Sequence, residues 1–200
     1  TVTNDTYLCS ATVITAGTFL KSIMHCGLNQ TIGGRIDEQS CESLSQSLAS
    51  YFQLGRLKTG TPPRLEKESI DYSKMLIQPG DNEFLRFSFR TSPNNKYLDQ
   101  LACYRCETNE KTHALVIKNL DRSPLFTKVI EGVGPRYCPS IEDKIVRFKD
   151  KPSHHIFIEP ESRYLNSIYP QGLNTSLPHD VQESMLRTMA GLEDVKILKW

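Results

Sequence analysis

The chain has no apolar run near the roughly 18 residues that a membrane-spanning helix needs. No charged segment followed by an apolar stretch opens it, so no secretory signal is visible. It lacks the Gly-x-Gly-x-x-Gly dinucleotide fingerprint and the Gly-Lys-Ser/Thr ending of a Walker phosphate loop. It has little net charge: 24 Lys and Arg stand against 23 Asp and Glu, a balance of +1. That excludes a wholesale basic footprint, so contact with nucleic acid has to come from a local patch. It has no internal repeat and no low-complexity tract. What remains is ordinary globular composition, 38% hydrophobic and 24% charged. The 200 residues suffice for one substantial core or for parts of two domains. Thr1 opens directly into a strand-like segment and Trp200 lies just past another, so both ends read as cuts within a longer chain. The six cysteines (Cys9, Cys26, Cys41, Cys103, Cys106 and Cys138) read as reduced thiols, because a chain of this length without a signal has little need of disulfides.

Residues 7–15 (YLCSATVIT) are rich in β-branched and apolar side chains and predict a buried strand, broken at Ala16-Gly17-Thr18. A second strand is expected within 19–26, and Gly33-Gly34 marks a loop. From Ser40, a possible cap, Leu44, Leu48, Tyr51 and Phe52 fall at helical spacing. GRLKTGTPPR, residues 55–64, cannot continue that helix past its glycines and its proline pair. Gly80-Asp81-Asn82 reads as a turn, 86–89 and 101–106 as short strands, and 92–99 as polar loop. Residues 108–119 suit a helix capped by Thr108 or Asn109, 154–158 a strand, and 168–172 a turn. The last helix has the clearest pattern: Pro178 in its first turn, a Val181, Met185, Met189, Leu192 stripe, and a stop at Gly191. A methionine stripe of this kind is core packing. Residues 195–199 close with a strand, and the mixture predicts an α/β or α+β assembly.

The stretch that carries the most chemistry is GVGPRYCPSIEDKIVRF, residues 132–148. Gly132 and Gly134 permit close backbone approach to a ligand. Arg136, Tyr137 and Cys138 place a cation, an aromatic face and a thiol in series. Ser140 caps a predicted helix with Asp143 three residues on. A glycine loop entering a helix is a ready anion site, and the same setting lowers a thiol's pKa. Residue types alone leave two readings even: a phosphate or dinucleotide loop with a reactive Cys138, or a structural loop with an inert one. In GRLKTGTPPR, Arg56, Lys58 and Arg64 with Thr59 and Thr61 suit either phosphate contact or a solvated basic loop. Cys103-Tyr104-Arg105-Cys106 is a single CxxC without the second pair a zinc site needs, so no metal is expected. His154-His155 reads as a strand start and Glu159-Pro160-Glu161 as a solvated turn. The strand followed by Ala16-Gly17-Thr18 resembles the strand-end turn beside a dinucleotide in two-segment flavin folds.

Taken together, TAGTFL, GGR, GRLKTGTPPR, CY with TNEKTH, NLDRSP, EGVGPRYCPSIEDK, EPE, IYPQG and TSLP occur in one order. In this the chain resembles the MnmG (GidA) family of tRNA uridine 5-carboxymethylaminomethyl modification enzymes, from about Val13 to about Lys199. The resemblance implies an α/β fold: part of a glutathione-reductase-type FAD-binding domain, residues 1–59, and an inserted mixed α/β domain, residues 60–200. It implies an enzyme that adds a (carboxymethyl)aminomethyl group to carbon 5 of the wobble uridine. FAD, NADH and a methylenetetrahydrofolate one-carbon donor would serve it, with tRNA and the MnmE GTPase as partners. A cytoplasmic homodimer is implied, mitochondrial in a eukaryotic source. Ser40 matches a flavin-contacting serine, and Thr15, Gly17 and Thr18 lie at the flavin-side turn. Gly134, Pro135, Arg136, Tyr137, Cys138, Pro139, Ser140, Ile141, Glu142, Asp143, Lys144, Ile145, Val146, Arg147 and Phe148 match the nicotinamide-dinucleotide stretch. Cys138 also matches a functional cysteine, either attacking the uracil ring or moving a proton. Cys106 stands where the family commonly has threonine, which argues against an inherited CxxC metal site. The alternatives are a folate- and FAD-dependent tRNA uracil methyltransferase, which should lack GVGPRYCPSIEDK, and a non-catalytic RNA-binding module.

Overall fold

A computed structural model describes residues 5–83, 85–92, 99–130, 132, 134 and 139–200. These fall into two compact units: residues up to 25 with 30–54, and residues 26–29 with 55–200.

The second unit is built on a six-stranded antiparallel sheet. Its strands are β3 (Arg64–Glu66), β4 (Leu76–Gln78), β5 (Cys103–Glu107), β6 (His155–Pro160), β7 (Ser167–Gln171) and β8 (Ile197–Lys199), in the order β4-β5-β6-β7-β3-β8. Alternation decides which face is dry. The register aligns Tyr104 with Ile158, Cys106 with Ile156, and Leu65 with Ile168. Of these six, all but the half-buried Tyr104 lie in the core. The intervening residues, Arg105, Phe157, Glu159 and Tyr169, line the opposite face and are only partly covered.

Three helices complete that core: α2 (Glu110–Lys118), α3 (Ile141–Arg147) and α4 (His179–Leu186). Val116, Ile141, Ile145, Val181, Met185 and Leu186 join the strand residues in one cluster. Asn109, not Thr108, caps α2, in a reciprocal box with Thr112. Val181, Met185, Met189 and Leu192 are all buried as the stripe predicts, but the helix expected to run to Gly191 ends at Leu186, so Met189 and Leu192 reach the core from the turns that follow α4. The chain turns at Gly191 with φ +82°, where an added Cβ would lie 2.6 Å from the Asp71 carbonyl oxygen.

Sequence expectations fail within this unit at residues 168–172 and 86–89, and also at Glu159-Pro160-Glu161. Residues 168–172 are not a turn, because 168–171 lie in β7 and only Gly172, at φ +106°, turns. Pro170 is tolerated because β3 pairs only with Ser167 and Ile168, so the proline sits past the end of that ladder. Residues 86–89 form no strand. Arg86 donates to the Thr91 carbonyl at 2.8 Å and the Thr91 N–H to that of Ser88 at 3.2 Å, so local turns take up the polar groups. Residues 80–82 form no hydrogen-bonded turn: only Asn82 bends, and the Asp81 backbone is tied instead by reciprocal bonds to the Gln100 amide.

In the first unit, α1 (Glu42–Ala49) forms as its spacing predicts, but Leu44, Tyr51 and Phe52 stay exposed. The expected strand at 7–15 is absent. Leu8 is 99% and Val13 84% exposed, and no described segment pairs with theirs. A strand has to exchange its backbone hydrogen bonds with a neighbour, and apolar composition does not substitute for one. Between 19 and 26 only β1 (Ile23–Cys26) is extended, forming a two-stranded sheet with β2 (Asn29–Ile32). Among the described residues no helix is long and apolar enough to cross a membrane.

Candidate dinucleotide site

The site is read from α3 outward. Ser140 is extended, and its Oγ accepts the Asp143 N–H at 3.1 Å, the cap its sequence predicts. The Ile141 N–H is taken by the Asn174 carbonyl at 2.8 Å. Two first-turn donors are therefore engaged inside the protein, so the anion-binding helix start expected from sequence is largely satisfied already. Ile141 and Ile145 point into the core, and Val146, Arg147 and Phe148 are exposed. Lys144 donates to the Gly172 carbonyl at 3.0 Å.

Glu142, next to the cap, is fully buried. Its Oε1 accepts from Thr175 Oγ1 at 3.0 Å, Ser176 N at 3.3 Å and Ser123 Oγ at 3.3 Å. Its Oε2 has no hydrogen-bond partner among the described residues. Burial pushes this carboxyl above the ordinary glutamate range, against the pull of those donors.

The two motifs singled out in the sequence meet here. Gly132, at φ +126°, packs on the basic loop: a Cβ there would sit 2.8 Å from the Arg56 carbonyl oxygen. Gly134 differs. Its nearest foreign neighbour is Lys58 Cε at 3.4 Å, ordinary contact that packing would let a side chain share. Gly132 is thus required by the fold, whereas among the described residues only Lys58 comes within 4 Å of a Cβ placed at Gly134. The basic loop is anchored in turn. Gly60 lies against Asn174 and Thr175, and the Thr61 carbonyl accepts the Thr175 N–H at 3.5 Å. Pro135, Arg136, Tyr137 and Cys138 lie outside the described residues.

A family model described as glucose inhibited division protein A matches residues 1–200. The chain belongs to the GidA family. A Bdellovibrio bacteriovorus protein named tRNA uridine 5-carboxymethylaminomethyl modification enzyme MnmG is 52% identical over 191 residues, covering 95% of this chain and 30% of its own length. A Syntrophomonas wolfei protein of the same name is 48% identical over 200 residues, 100% of this chain and 32% of its own. Aquifex aeolicus GidA, solved in its form I crystal, superposes with a TM-score of 0.82 at 46% identity, over 92% of this chain and 32% of that one. The chain therefore spans about a third of the length of the GidA relatives it matches.

The remaining sequence candidates of this GidA-family chain separate cleanly. Thr15, Gly17 and Thr18 are exposed on one turn, with Gly17 at φ +57° and Thr18 Oγ1 donating to the Gly34 carbonyl at 2.9 Å. Ser40 does not cap α1, whose N-cap is Cys41 without a side-chain bond. Its Oγ instead accepts the Ser22 N–H at 2.8 Å and donates to the Phe19 carbonyl at 3.4 Å. Cys103 and Cys106 are three apart on β5 and so project to opposite faces. Burial raises both thiols, that of Cys106 to about 12, so neither is a thiolate. No group of three or more potential metal ligands comes together among the described residues. His154 is fixed by its N–H to Thr108 Oγ1 at 2.8 Å, which also bonds His113 Nε2 at 2.8 Å. Glu159-Pro160-Glu161 is not a solvated turn. It ends β6, where Glu161 accepts from Arg64 Nε at 2.6 Å and Arg64 lies 4.6 Å above the Tyr169 ring. Sequence reasoning missed the partners of Glu142. Ser123, Thr175 and Ser176 lie inside NLDRSP and TSLP, and their hydroxyls were the available signal.

Proposed function

We propose that this chain is the dinucleotide-handling segment of an FAD- and NADH-dependent enzyme that places a (carboxymethyl)aminomethyl group on carbon 5 of the wobble uridine of tRNA. The observation that carries this reading is the match along all 200 residues to the GidA family, with relatives of about half-identical sequence named tRNA uridine 5-carboxymethylaminomethyl modification enzyme MnmG. The site geometry supports it. Among the described residues only Lys58 comes within 4 Å of a Cβ placed at Gly134, room that suits a pyrophosphate, and Arg147 stands exposed on α3. Within the assigned stretch, Ile141, Glu142 and Ile145 hold the helix from behind, and contact falls to the residues around Gly134 and to the outer face of α3. The exposed turn of Thr15, Gly17 and Thr18, with Ser40 bonded beneath Phe19, fits one edge of a flavin nucleotide. When bound, the flavin supplies the redox chemistry. Cys138 supplies the thiol, attacking the uracil ring or moving a proton.

On the same reading methylenetetrahydrofolate is the one-carbon donor, the MnmE GTPase and tRNA are partners, and the working form is a homodimer. The location is the cytoplasm, or mitochondria in a eukaryote. Residues 1–59 belong to the flavin domain and 60–200 to the inserted domain. The test is made on the protein carrying this chain at the length of its relatives. It is expected to purify yellow with FAD and to oxidise NADH. A colourless protein that leaves NADH untouched contradicts the reading.

A further inference from the structure

The buried carboxyl of Glu142 joins three separate segments at one oxygen. Ser123 follows a 3-10 turn (Leu120–Arg122), Thr175 and Ser176 lead from β7 toward α4, and Glu142 itself stands in the first turn of α3. The joint extends further. Thr175 Oγ1 also accepts the Leu177 N–H at 3.1 Å, and the Thr175 N–H reaches the Thr61 carbonyl. Gly60, one residue away, packs on Asn174 and Thr175, and the same basic loop seats Gly132 against Arg56 and Gly134 against Lys58. One side chain thus ties α3 to the segment that holds the loop facing it. A fully buried carboxyl is costly unless its bonds are made, and three donors on one oxygen fix that atom in position.

We propose that Glu142 is a positioning residue for the nicotinamide dinucleotide: through Oε1 it sets α3 in register with the basic loop of Arg56 and Lys58, against which Gly132 and Gly134 pack. It touches no ligand itself, because it is fully buried. The inference rests on the functional reading above. What matters is an acceptor oxygen at the end of two methylenes. Glutamine supplies one and puts its amide nitrogen at the Oε2 position. Aspartate stops one methylene short and leaves the three donors without their acceptor.

The experiment compares Glu142→Asp, Glu142→Gln and Thr175→Val in the protein at the length of its relatives, by steady-state NADH oxidation and by amide hydrogen exchange at Gly132 and Ile141. Loss of register acts on ground-state binding, so Glu142→Asp is expected to raise KM for NADH about tenfold while kcat stays within about twofold. Glu142→Gln should restore KM to within about twofold of the parent. Thr175→Val, which removes one donor and keeps the carboxyl, should raise KM about threefold and serves if the aspartate variant does not fold. Exchange at Gly132 and Ile141 should quicken in the aspartate variant and not in the glutamine one. An unchanged KM in both Glu142→Asp and Thr175→Val overturns the proposal, as does a Glu142→Gln variant as impaired as Glu142→Asp. A parent protein that ignores NADH refutes the functional reading instead. The exchange pattern then decides alone whether Glu142 sets the register, with unchanged exchange in Glu142→Asp counting against it.

Discussion

The two units of this chain use similar side chains to different effect. In the second, Ile156, Ile158, Ile168, Leu65, Val181 and Met185 close on one another and are almost wholly buried, although Leu57, Phe87 and Phe89 elsewhere in that unit stay exposed. In the first, Tyr7, Leu8, Val13, Tyr51 and Phe52 are as apolar and remain open to solvent. Composition is common to both; what differs is the presence of a covering partner within the 200 residues. The hydrophobic effect rewards burial, and an apolar segment without a neighbour gains nothing from it.

The contrast can be broken most directly by truncating one residue in each unit. Met185→Ala removes a fully buried side chain and is expected to cost about 2–5 kcal/mol in urea unfolding. Leu8→Ala, at a 99% exposed position, should stay within about 0.5 kcal/mol. A large loss at Leu8 would show that the first unit has a core of its own. Removing the α2 cap with Asn109→Ala should cost about 1 kcal/mol, since Asn109 meets the Thr112 N–H and Thr188 carbonyl.

A third prediction concerns pH. Glu142 has its folded-state pKa raised by burial, so the folded protein holds that proton more tightly than the unfolded chain. The contribution is full below the unfolded glutamate value and is lost as pH rises through the folded one. Glu142→Gln lacks that slope. Its stability relative to the parent should therefore improve as pH rises from the ordinary glutamate range toward neutrality. A difference that is flat with pH would mean that Glu142 is already charged when folded. The smallest effect is expected at Asp180→Asn. The paired Asp180 and Arg122 are both exposed, and thermal midpoints should barely move.

Legibility in the sequence followed the same division. The start of α4 with Val181 and Met185, the α2 cap and the Ser140 cap could be read because each is local: spacing and one hydroxyl or amide decide them. The strand at 7–15 could not, because its pairing partner is not a local property. Pro170 misled for a related reason, since proline signals a turn only until the short reach of β3 is known. At the candidate site, glycines and basic residues singled out two loops, and the fold brings Gly132 and Gly134 against Arg56 and Lys58. Sequence could not separate Gly132, which packing requires, from Gly134, which among the described residues meets only Lys58. Nor could it show that Glu142 faces inward, because a glutamate two residues before Lys144 in a first helical turn looks like any exposed helix start.

The measurement closest to the central claim is nucleoside analysis of tRNA from cells whose copy of the protein carries Cys138→Ser. The account predicts that the modified wobble uridine disappears while the purified variant keeps its flavin. Modified uridine at the parent level would return Cys138 to a structural role and contradict the account.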